Sequence, residues 1–124
     1  MSKNATVSLE EALKIFESCK DERLKVRVSF WGGRSLPGNP SPIRGSLLGE
    51  VIAVSPPGAF GTVAMQGADC GIEIDLRDCR LRAFDPREPP AFGGEAVAAQ
   101  FESGLEANLP GGEKFIFLFF AIGN

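Results

Sequence analysis

The chain has 124 residues, 44% of them hydrophobic and 23% charged, with a formal net charge of −3. That is an ordinary globular balance for one domain, and it excludes both a disordered polar chain and a globally basic nucleic-acid binder. Histidine and tyrosine are absent, which removes Ser-His-Asp and Cys-His catalysis and every histidine metal site.

The first residues, 1–7, read as an N-terminal tail. They lack an apolar h-region, so no secretory leader is expected. Residues 8–20 read as a helix. Ser8 and Glu11 have capping-box spacing. Leu9, Ala12, Leu13, Ile15, Phe16 and Cys19 fall within an arc of roughly 160° at 100° per residue. Glu10 and Lys14 sit opposite, at i,i+4. Such a helix must cover something apolar.

Residues 24–84 read as the strands of a small barrel. In 24–31, Leu24, Val26, Val28 and Phe30 alternate with Lys25, Arg27, Ser29 and Trp31. Residues 32–44 hold three prolines and three glycines and read as a long loop, without a phosphate-loop pattern. In 45–54, Leu48, Ile52 and Val54 are expected to face away from Ser46 and Glu50, with a bend at Gly45 or Gly49. A third strand is expected over Phe60–Gln66. A fourth, 70–76, turns Cys70, Ile72, Ile74 and Leu76 inward, and Cys79, Leu81 and Ala83 continue that pattern into a fifth.

Residues 85–98 read as a proline-rich connection, and 100–121 as a C-terminal hairpin turning at Leu109-Pro110-Gly111-Gly112. Its last strand is apolar on both sides. Phe115, Phe117 and Phe119 face one way; Ile116, Leu118 and Phe120 face the other. Each side chain gains about 1.5–3 kcal/mol on full burial. Both faces therefore need covers, one of which is the helix or a second subunit. Ile116, Leu118 and Phe120 are the expected interface.

The fold class is mainly β (α+β by count): a partly closed antiparallel barrel or curved sheet with one N-terminal helix. The helix, the alternating strand Val26-Arg27-Val28-Ser29-Phe30-Trp31-Gly32-Gly33 and the step Gly45-Ser46-Leu47 resemble the Sm-like and SH3-like small barrels over about residues 8–83. The resemblance implies ring-like or dimeric association through strand edges. The Asn-containing loop and Arg-Gly signature that hold RNA in Sm-like proteins have no match, so RNA binding is not carried over.

Three functional expectations follow. The first is a non-enzymatic binding or assembly module, a homo-oligomer without a cofactor. The second is a single-stranded nucleic-acid binder using Lys25, Arg27, Trp31, Arg80 and Arg82, a basic and aromatic set interrupted by acids. The third is a carboxylate-dependent metal site or enzyme at Glu73 and Asp75, whose side chains share a strand face. The plain alternative for that pair is a solvated strand face with ion pairs. Cys19, Cys70 and Cys79 are odd in number and wrongly spaced for zinc, so reduced thiols in a cytoplasmic protein are expected. No apolar run is long enough to span a membrane. No small-molecule ligand is named by any motif.

Overall fold

A computed structural model describes residues 5–32, 43–55, 61–86 and 100–120. The architecture is one antiparallel sheet around one helix. The elements in chain order are β1 (Ala5–Thr6), α1 (Leu9–Glu22), β2 (Lys25–Gly32), β3 (Ile43–Val54), β4 (Thr62–Gln66), β5 (Gly71–Asp75), β6 (Arg80–Phe84), β7 (Phe101–Asn108) and β8 (Lys114–Phe120). The sheet order is β1-β6-β7-β8-β2-β3-β4-β5.

Helix α1 begins where its capping chemistry places it. The Ser8 side chain accepts from the Glu11 amide at 3.1 Å, and the Glu11 carboxylate accepts from the Ser8 amide at 3.4 Å. Each satisfies an amide that has no partner within the helix. The helix runs two residues past its expected end and stops at Arg23, whose left-handed φ of 54° turns the chain into β2. Ala12, Leu13, Phe16 and Cys19 are buried, as the arc requires. The helical ion pair is Glu17–Lys20 at 3.9 Å; none joins Glu10 to Lys14.

Strand order departs from the closed-barrel arrangement, which would set the first and fifth barrel strands, β2 and β6, side by side. The β7–β8 hairpin stands between them. The physical reason lies in β8, whose two apolar faces need a central position with neighbours on both edges. It pairs with β7 on one side and β2 on the other.

The sheet does not close, but it is strongly curved. β5 is one edge and β6 lies next to the other, six strand spacings away. Laid flat, they would stand about 29 Å apart, whereas the five Cα steps from Asp75 to Arg80 reach at most about 18 Å. The link is a tight turn, with the Cys79 amide donating to the Leu76 carbonyl at 3.2 Å. The two ends of the sheet must therefore curl toward each other around α1.

The concave face is the main core. Phe16 sits edge-on to Phe117 at 5.0 Å and to Phe119 at 5.6 Å. Val26, Val28, Val63, Leu105 and Ala107 are fully buried around them. Residues 5–7 of the expected tail join the sheet: Ala5 and Thr6 pair with Ala83 and Arg82, and the Val7 amide donates to the Leu81 carbonyl. The loop expected over 32–44 and the connection over 85–98 lie largely outside the described residues.

Two inward assignments are corrected. Cys70 is exposed, because it closes a turn (Gly67 amide to Cys70 carbonyl, 2.7 Å) before β5 begins; Cys79 is half-buried. Leu48 and Ile52 face outward with Ser46 and Glu50, while Leu47, Gly49 and Val51 face in. Gly45 takes an inward position because the Phe30 ring occupies the space a side chain would need. A bulge between Val51 and Ala53 then changes the phase, so Val54 does turn inward.

Candidate binding face

The convex face of the sheet carries the polar chemistry. The four residues Lys25, Arg27, Arg80 and Arg82 are all exposed. They are not neighbours, since β2 and β6 are separated by β8 and β7. Of the four, register carries only Arg80 toward Trp31. Arg80 pairs with Asn108, Asn108 with Lys114, Lys114 with Trp31, and Trp31 with Arg44. That row of register partners crosses five strands, and its Lys114 and Asn108 both reach Glu106 of the next row.

The adjacent row is neutralised. Arg82 pairs with Glu106, and Glu106 with Ile116. The Glu106 carboxylate accepts from Arg82 at 2.6 Å and from Asn108 at 2.7 Å, with Lys114 at 3.5 Å. Burial works to raise the Glu106 carboxyl, but the hydrogen bonds from Asn108 and Arg82 and the nearby cations outweigh it and hold it below the usual range. Arg82 also lies over the Phe84 ring, 5.9 Å from its centroid. Arg80 opens onto a groove of about 520 Å³ lined with Asp78, Asn108, Leu109 and Pro110.

One member of the acidic pair is engaged by an arginine. Asp75 and Glu73 share the convex side of β5, but Asp75 is taken by Arg77, with Oδ2 at 2.7 Å from a guanidinium nitrogen. The side-chain hydrogen bond from Arg77, followed by one from its backbone amide, holds the Asp75 carboxyl below its ordinary value. No cluster of three metal-ligating side chains occurs among the described residues. Burial pushes the Cys19 thiol up to about 11, with the nearby Glu22 charge adding to the shift, and Cys79 is raised by the same kind of desolvation. Neither sulfur has the cationic surroundings that make a thiolate nucleophile.

The residues expected at an interface are covered within the single chain. Ile116 and Leu118 are 4% and 1% exposed, clustered with Phe101, Phe84 and the half-buried Phe120. The rings of Phe101 and Phe120 lie 4.6 Å apart. Phe84 reaches over Gly104, whose missing side chain makes room for the ring.

The open apolar surface lies elsewhere on the same face. Leu48 and Ile52 are 44% and 54% exposed, the most open large hydrophobic side chains among the described residues. The sequence reading missed them because Leu48 and Ile52 share the parity, and hence the face, of Ser46 and Glu50, from which they were expected to turn away. Gly45 and Gly49, sharing parity with Leu47 and Val51, were the signal that could have placed Leu48 outward. No family model matches the chain, and neither a curated protein nor a solved structure matches it. No helix among the described residues is long and apolar enough to cross a membrane.

Proposed function

We propose that the chain is a non-enzymatic assembly module, a small Sm-like or SH3-like β domain that self-associates through the convex face of its sheet. The observation that carries this reading is the exposure of Leu48 and Ile52, on either side of Glu50 on one face of β3, while the described large apolar groups Ile116, Leu118, Phe84, Phe101 and Phe120 are covered or half-covered. Exposed leucine and isoleucine on one strand face are groups that a second surface would cover. A catalytic reading lacks support, since Asp75 is engaged by Arg77 and Glu106 by Arg82, Asn108 and Lys114. The test is sedimentation across a concentration series. Wild-type protein should gain mass with concentration, and Leu48→Asp should abolish the gain while leaving the melting temperature within a few degrees. A Leu48→Asp variant that associates like wild type overturns the reading.

A second reading has its own observation. The row Arg80–Asn108–Lys114–Trp31–Arg44 places three cationic residues and one aromatic in register on successive strands, with Lys114 and Asn108 also reaching the Glu106 carboxylate. A single-stranded nucleic acid crossing the strands would meet them in succession. Fluorescence anisotropy with a labelled oligonucleotide tests this. Affinity should fall steeply with salt and fall again with Arg80→Ala; no binding at low salt removes the reading.

A further inference from the structure

The chain between β5 and β6 uses one spacing twice, with different results. Asp75 and Arg77, two residues apart, close on each other at 2.7 Å. Asp78 and Arg80 have the same order and spacing and are both exposed, yet their side chains form no ion pair or hydrogen bond among the described residues. The Asp78 charge also reaches Arg77, but that guanidinium is held first by Asp75.

Both unpaired groups line one open groove of about 520 Å³, together with Asn108, Leu109 and Pro110. That volume lies in the range of small-molecule sites, about 300–1,000 Å³. Arg80 on β6 is the register partner of Asn108 at the end of β7. The Asn108 side-chain nitrogen donates to Glu106 at 2.7 Å, so its oxygen is the group left to accept. Leu109 and Pro110 add apolar surface from the hairpin turn. The other cations of β6 and β8 are engaged: Arg82 lies 2.6 Å and Lys114 3.5 Å from Glu106.

A phosphate chain on Arg80 would meet repulsion from Asp78. A molecule carrying both charges satisfies the two groups at once. The Cα atoms of residues 78 and 80 are at most about 7 Å apart, the span of two extended residues. A dipeptide with free ends has the same reach.

We propose that this groove binds a zwitterionic dipeptide, its carboxylate on Arg80, its ammonium on Asp78 and its side chain against Leu109 and Pro110. The site lies on β6 and β7, and β8 and β2 separate it from Leu48 and Ile52 on β3. It therefore adds a ligand to the assembly reading and does not depend on it. Exposed ion pairs each contribute little, so affinity should be about millimolar.

The test is a nuclear magnetic resonance titration of the isotope-labelled full chain with glycyl-leucine. The amide signals of Arg80, Asn108 and Leu109 should shift and saturate at millimolar peptide. Asp78→Asn and Arg80→Gln should keep the wild-type melting temperature and each weaken binding by about two- to fivefold. Capping both ends, as acetyl-glycyl-leucinamide, should weaken it more than either variant does. The capped peptide needs no variant, so the test stands if a substitution disturbs the fold. Signals that never saturate, or that shift equally with the capped peptide, overturn the proposal. Acetyl-glycyl-leucine binding as tightly as the free dipeptide also overturns it, leaving only an anion site at Arg80.

Discussion

The convex face of the sheet is finished on one side and open on the other. Over β6, β7 and β8 it is sealed by Phe84, Phe101, Ile116 and Leu118, with Phe120 at the margin. Over β3 it leaves Leu48 and Ile52 in solvent. The concave face beneath both halves is one continuous core. What differs is therefore the outer cover. Hydrophobic residues on a strand say that a cover exists; they do not say whether it belongs to the same chain.

That comparison can be broken most severely at the core both halves share. Phe16→Ala removes the ring that contacts Phe117 and Phe119, and urea denaturation should show a loss of about 3–5 kcal/mol. The sealed half should also be costly to empty. Leu118→Ala should lose about 2–5 kcal/mol, whereas Leu48→Ala should stay within about 0.5 kcal/mol of wild type in the same titration. Equal losses at the two leucines would contradict the division of the face. Gly104→Val places a side chain against the Phe84 ring, and calorimetry should record about 1–3 kcal/mol of destabilisation from overpacking.

Smaller effects concern protons. The folded-state carboxyl of Glu106 is held below its unfolded value of 4.5. Its contribution is therefore present above that pH and is lost as pH falls through the folded value. Glu106→Gln should flatten the acid limb of a stability profile. Cys19 runs the opposite way, because its folded value is raised from 9.0 to about 11. The stability contributed by its neutral thiol is full below pH 9.0 and is lost as pH rises toward 11. At neutral pH a thiol reagent should label exposed Cys70 first and buried Cys19 last; mass spectrometry of the labelled peptides reads the order.

Much of the fold was legible because it depends on local pattern. The Ser8–Glu11 box, the helical arc ending in Cys19, the alternation of β2 and the turn between β7 and β8 each follow from neighbouring residues. The double-sided apolar character of Lys114–Phe120 announced that both faces of the strand are covered, and Ile116, Phe117, Leu118 and Phe119 are buried. Of the candidate site, the outward set Lys25, Arg27, Arg80 and Arg82 was also readable, since parity within a strand is a local property. The phase of β3 was harder to read, because its inward positions 45 and 49 are glycines with no apolar side chain to mark them, and the bulge between Val51 and Ala53 shifts the register before Val54.

By itself, the sequence determined that one helix face and two faces of the last strand must be buried, and that no histidine chemistry is possible. Those conclusions follow from side-chain chemistry and the periods of helix and strand, which need no long-range information. Only the tertiary structure decided where the covers came from. Pairing partners are chosen across many residues, so inserting β7–β8 between β6 and β2 sealed Ile116 and Leu118 from within and left Leu48 and Ile52 as the open surface.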